Sequence, residues 1–220
     1  MHLRTILTLA TVALATAACS YGQGLCTSGY PPNPDLNAIN DCIPDAFQVR
    51  YASNLNKGDS IINITNTGSD EGIGDNLCVN VYTFDPSEEM VSCCSCLVTP
   101  NALVSLSVQG DLISNTLSPS TPTAVVIKLV TTRPVDGDTV CDPTASNKNS
   151  LAFGTRAWGT TLHALPDGTY GLTEGEFQTS GLSFYEGAHL TAFCGFINAN
   201  GSGFGICKSC RAGGLAGAKQ

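Results

Sequence analysis

Five cysteines at two close spacings dominate the chemistry this chain could carry. Val91-Ser92-Cys93-Cys94-Ser95-Cys96-Leu97-Val98 packs three sulfurs into four residues, and Cys207-Lys208-Ser209-Cys210 adds a CxxC pair near the other end. Thiols at such spacings suit zinc binding, thiol–disulfide exchange or structural cross-linking. A CxxC is a common zinc half-site, but CCxC on a strand is not a second one. Strand alternation turns Cys93 away from Cys94 and Cys96, so at most part of the cluster converges on one metal. Exchange-active CxxC pairs usually open a helix in a βαβ setting, which lowers the first thiol's pKa. Here the pair follows a helical pattern, and only Lys208 and Arg211 favour a thiolate. Cross-linking is therefore the leading expectation, and no metal or cofactor is expected.

Other reactive groups are sparse. A nucleophilic site needs a base, and only His163 and His189 lie beyond the first residues. No G-x-S-x-G elbow occurs, and Gly201-Ser202-Gly203 reads as a helix stop. Paired carboxylates stand at Glu88-Glu89 and at Glu174 and Glu176, each on a loop or an alternating strand, with nothing to bring two into one cleft. Asp70, Glu71, Asp75 and Asn76 form an oxygen-rich loop whose spacing fits no EF-hand, so a solvated loop is expected over a calcium site. Phosphate-cradling glycine motifs are absent.

The 11 cysteines are an odd number. The first residues read as a targeting signal: Arg4, an apolar run from Ile6 to Ala15, then Ala15-Thr16-Ala17-Ala18 before Cys19. Ala15-Thr16-Ala17 fits ordinary signal cleavage. Alternatively Cys19 is the lipid-bearing first residue of a lipoprotein, although Thr16 stands where Leu is usual. Removal or lipidation of Cys19 leaves ten cysteines that can pair completely: Cys26, Cys42, Cys78, Cys93, Cys94, Cys96, Cys141, Cys194, Cys207 and Cys210; cleavage after Ala17 or Ala18 instead leaves eleven and one spare thiol. An even set behind an export signal predicts a disulfide framework in an oxidising compartment, secreted or at the cell surface. The charge of −8, which becomes −9 without Arg4, disfavours nucleic acid and anionic membrane surfaces as partners.

The elements that must position these sulfurs are mostly strands. Residues 19–57 read as a Pro/Asn-rich arm, with a local Cys26–Cys42 bridge as the economical pairing. Residues 58–212 carry the domain. Ile61–Thr65 is a short strand. Leu77–Phe84 places Val79 and Val81 on one face and Tyr82 and Phe84 on the other. Met90–Val98 returns after Asp85-Pro86-Ser87-Glu88-Glu89, a connection of hairpin length. An unbroken register would put Phe84 opposite Met90, Asn80 opposite Cys94 and Cys78 opposite Cys96. Ala102–Val108 alternates, with Val104, Leu106 and Val108 inward. Ala124–Val130 is apolar on both faces apart from Lys128, as a central strand would be. Further strands are predicted over Ala157–Leu165 and Tyr170–Phe177. Ser183-x-x-Glu186 is a capping-box signature, and Leu190, Phe193, Cys194 and Ile197 then form a helical stripe over about 184–199. Residues 213–220 read as a tail. The pattern predicts a mainly β, disulfide-stapled antiparallel β-sandwich with one C-terminal helix.

Four segments together carry a resemblance. They are Cys78-Val79-Asn80-Val81-Tyr82, Ser92 to Asn101, Ala157-Trp158-Gly159-Thr160-Thr161-Leu162-His163-Ala164, and Asn200 to Arg211. From about residue 60 onward the chain resembles a family of secreted, cysteine-rich bacterial proteins of acidobacterial type. No activity, cofactor or catalytic residue attaches to that family, so the resemblance implies none.

The function expected is that of a secreted or cell-surface, non-enzymatic structural or binding protein. A competing expectation is a thiol–disulfide or metal-binding protein using Cys207 and Cys210 with the Cys93–Cys96 cluster. Partners are a lipid anchor, if Cys19 is modified, and a second copy paired through strand edges, with the arm as a donated strand.

Overall fold

The computed structural model describes residues 45–68, 76–137, 139–145, 150–203 and 205–210. These residues are mainly β: two antiparallel-rich sheets stacked face to face, with one α-helix near the C-terminus. The larger sheet runs in the order β10 (Gly205–Ile206), β4 (Met90–Val98), β3 (Leu77–Phe84), β6 (Val125–Thr132), β1 (Phe47–Ala52) and β9 (Gln178–Thr179). The smaller runs β5 (Leu103–Ser107), β2 (Ile61–Asn66), β7 (Thr155–Ala164) and β8 (Tyr170–Glu176). Among the described residues, every pairing between these strands is antiparallel except β10 with β4.

Two apolar layers explain why β3, β4 and β6 are apolar nearly throughout. Between the sheets lie Ile62, Ile64, Val79, Val81, Cys94, Cys96, Val104, Leu106, Ile127 and Leu129. On the other face of the larger sheet, Tyr82, Met90, Cys93 and Val130 meet Leu190, Cys194 and Ile197 of the helix α1 (Phe184–Ala199). A sheet covered on both faces has no solvent side on which to place polar residues. The alternation expected for Val79/Val81 against Tyr82/Phe84, and for Cys94/Cys96 against Cys93, is the alternation observed.

The helix begins where its cap predicts. Ser183 Oγ accepts from Glu186 N at 3.1 Å, while the Glu186 carboxylate pairs with Lys128 on β6. Gly201, at φ 84°, ends it. Leu190, Cys194 and Ile197 are buried as expected, but Phe193 is 50% exposed, because the sheet contacts only the 190–194–197 side. Val126 on β6 is likewise 38% exposed, so that strand's outer face is incompletely covered.

Two expectations need correction. The stretch read as an arm, 19–57, contains β1, paired to β6 along Phe47–Ala52 and to β9. Its inward positions include Gln48 and Arg50, while Phe47 and Val49 face the helix layer, so the alternation does not look like that of a core strand. Gln48 is tolerated inside because its Nε2 donates to Asp45 O at 2.9 Å and to Thr155 O at 3.1 Å. Within its sheet β1 is paired to β6 along its whole length and to β9 at Gln48 and Val49. The β3–β4 register also differs. Phe84 does face Met90, but a bulge then sets Thr83 against Ser92, so Cys78 lies opposite Leu97, Asn80 opposite Ser95 and Val81 opposite Cys94. Val91 is the extra residue, and one inserted residue displaces every later partner by one.

Candidate functional site: the cysteine cluster and the helix groove

The structure pairs eight cysteines: Cys78 with Cys141, Cys93 with Cys194, Cys94 with Cys207 and Cys96 with Cys210. Their Cα–Cα separations, 5.4, 5.7, 4.9 and 5.4 Å, lie in the normal disulfide range. Cys19, Cys26 and Cys42 lie outside the described residues, as do Asp70, Glu71, Asp75, Arg211 and the 213–220 tail.

Local structure accounts for the pairing of Cys94 and Cys96. The segment after the helix runs parallel to β4, with Gly205 beside Cys94 and Ile206 beside Ser95, and Cys207 N donates to Ser95 O at 3.1 Å. A single 3₁₀ turn, Lys208–Cys210, then carries Cys210 back over Cys96. Gly203 makes the approach possible. It sits at φ 71°, and a Cβ there would lie 2.8 Å from Cys93 O. Ser202 Oγ donates toward Val91 O and Asn115 O at 3.0 and 2.9 Å, tying the segment to its neighbours.

A residue that the sequence reading did not single out holds the far side. Asp111 lies in a one-turn π-helix, Val108–Leu112, and is 2% exposed. Its carboxylate accepts from Ser209 N at 2.7 Å, Ser209 Oγ at 2.8 Å and Ser107 N at 2.9 Å. It thus ties the CxxC loop to the end of β5. Nothing in the sequence spacing connects residue 111 to residue 209.

The Sγ atoms of Cys96, Cys207 and Cys210 lie within 4.8 Å of one another. As disulfides they carry no thiolate charge for a metal, and Cys207 and Cys210 are bonded to β4 instead of to each other. Lys208 Nζ donates to Ser114 Oγ at 2.7 Å. The histidines do not converge. His163 is on the smaller sheet, 2.9 Å from Thr173 Oγ1, and His189 is on α1, edge-on to Phe193. Glu174 lies on the edge strand β8, where Asn63 Nδ2 donates to it, while Glu88 and Glu89 lie in the β3–β4 loop.

That loop borders the second feature. A hollow of about 530 Å³ is floored by Phe84, Met90, Phe193 and Phe196 and bounded by Glu88, Glu89 and Leu117. An adjoining hollow of about 380 Å³ shares Phe84, Glu88 and Phe193 and reaches Lys128, Glu186 and His189. His189, Phe193 and Phe196 follow i, i+4, i+7 spacing beside the buried stripe, and Phe196 is 58% exposed. Four aromatics on a helix with a single buried stripe were the available signal for this surface. Compared with known proteins, the chain matches no family model, no curated protein and no solved structure.

Proposed function

We propose that the protein works outside the cytoplasm, secreted or at the cell surface after loss of a signal peptide over 1–18, as a non-enzymatic structural or binding protein. One observation carries this reading: each of the three β4 cysteines is buried and committed to a cross-link, one to the helix and two to the segment after it. Such a framework is at home in an oxidising compartment and holds a surface rigid without supplying a reactive group. The resemblance to secreted cysteine-rich bacterial proteins points the same way, and Cys19 is the position at which a lipid would anchor the chain. The exposed edge strand β8 is the place for self-association, which light scattering over a concentration series would detect.

The test is the intact mass of the exported protein, alkylated before and after reduction. Ten paired sulfurs, with Cys19 cleaved away, lipidated or left as the one spare thiol, support the reading. Free thiols at Cys207 and Cys210 overturn it.

A second reading rests on the proximity of Cys96, Cys207 and Cys210. Once reduced by a dithiol, these sulfurs and Cys94 would form a CxC/CxxC thiolate set suited to zinc. Zinc in the native mass, or insulin reduction abolished by Cys207→Ser, would favour this reading over the first.

A further inference from the structure

We propose that the groove between α1 and the β3–β4 loop binds a cationic, apolar peptide segment of another protein. This rests on the binding reading above and names its surface and its partner.

The floor is apolar and aromatic: Phe84, Met90, Phe193 and Phe196. Exposed aromatics grouped in one hollow mark interaction sites more strongly than the same residues scattered. The rim is acidic. Glu88 and Glu89 are exposed and, among the described residues, have no cationic partner, while the carboxylate of Asp85 caps its own turn by accepting from Ser87 N and Glu89 N. Lys128 is the cation of the groove. It is consumed by Glu186 and by the Phe84 ring, whose centroid is 4.5 Å away. An occupant must therefore bring its own positive charge together with apolar side chains. A membrane is a poor match, because an anionic surface is repelled by this rim and by the chain's net charge of −8. A second copy brings the same acidic rim against itself. A peptide presenting apolar anchors beside Lys or Arg satisfies both halves, as in helix-in-groove recognition.

The Glu88 backbone adds a practical point. Its φ of 69° is left-handed, a conformation that Asn adopts more readily than Glu. Glu88→Asn with Glu89→Gln therefore removes both charges without straining the turn. Phe193→Ser with Phe196→Ser removes the exposed floor without opening the core.

The probe is a fluorescein-labelled amphipathic helical peptide of about fifteen residues, Leu and Trp on one face and Lys on the other, followed by anisotropy. Expected are saturable 1:1 binding, a loss of roughly tenfold or more in Phe193→Ser/Phe196→Ser, and a several-fold loss in Glu88→Asn/Glu89→Gln. Raising salt from about 50 to about 500 mM should weaken binding. Glu174→Gln/Glu176→Gln, on the other sheet, should leave it unchanged. Equal binding by all variants would reduce the effect to bulk charge and overturn the proposal. So would no binding, equal binding of a peptide with Glu in place of Lys, vesicle binding through the same phenylalanines, or self-association through them. The alkylation mass separates the two failures: ten paired sulfurs with no peptide binding reject the groove alone, and free thiols at Cys207 and Cys210 reject the reading beneath it.

Discussion

Cys93 and Cys94 are consecutive residues whose cross-links leave opposite faces of one sheet. Cys93 is bonded to Cys194 in the helix, and Cys94 is bonded to Cys207 in the layer between the sheets. Only a strand gives adjacent residues opposite directions, so the vicinal pair reports the three-layer arrangement itself.

The two bonds are not worth their sequence separations of 101 and 113 residues. With Cys94–Cys207 closed, Cys93–Cys194 closes an effective loop of roughly fifteen residues, worth about 3 kcal/mol in the chain-entropy account. Cys96–Cys210 then closes only about five, worth about 2 kcal/mol. Urea unfolding should therefore show a larger loss for Cys93→Ala/Cys194→Ala than for Cys96→Ala/Cys210→Ala. The reverse order would show that strain or solvation outweighs loop closure.

Asp111 should control the accessibility of the nearby sulfurs. Asp111→Ala leaves Ser209 N, Ser209 Oγ and Ser107 N without their shared acceptor. Unmade buried bonds of this kind cost about 1–3 kcal/mol. The expected outcomes are lower stability and faster reduction of Cys96–Cys210 by dithiothreitol under native conditions, with Cys78–Cys141 unaffected. Peptide mapping after timed reduction reads both bonds together.

Arg50 reaches inward across two glycines of the smaller sheet. A Cβ on Gly159 would lie 2.7 Å from Arg50 Cδ and 3.2 Å from Phe177, and one on Gly175 would lie 3.0 Å from the guanidinium. Gly159→Ala should cost about 1–3 kcal/mol by overpacking. The cost should shrink in an Arg50→Ala background, and a coupling near zero in that double-mutant cycle would refute the contact as its cause.

The β7–β8 turn should respond to acid. The Thr169 hydroxyl and then the Thr169 N–H donate to Asp167, holding its carboxyl below the usual aspartate value. A depressed folded-state value means that this contribution to stability is present at neutral pH. It is lost as the pH falls below about 4, toward the folded-state value. In an NMR titration, Thr169→Ala should move the Asp167 midpoint upward.

Much of this architecture was legible because it rests on local periodicity. The faces of β3 and β4, the alternation Val104/Leu106 and the cap at Ser183 follow from periods of two and of 3.6 residues. What stayed hidden depended on partners distant in sequence. Gln48 and Arg50 in β1 face inward because Thr155, Thr161 and Glu176 offer them oxygens. The bulge at Val91 leaves no mark in the hydrophobic pattern. Asp111 and Ser209 meet only because the chain after the helix returns along β4. Phe193 fits the buried stripe by spacing, but the neighbouring sheet does not extend far enough to cover it.

The placement of the sulfurs also sets a timetable. A chain emerging from its N-terminus can join Cys78 to Cys141 once β3 and β6 have appeared. Cys93, Cys94 and Cys96 must wait, because their partners all lie between Cys194 and Cys210. Until that final stretch arrives, β4 carries three closely spaced thiols without their native partners and open to mispairing. The C-terminal segment thus holds every native partner of the β4 sulfurs: a chain cut short before Cys194 leaves Cys93, Cys94 and Cys96 without one.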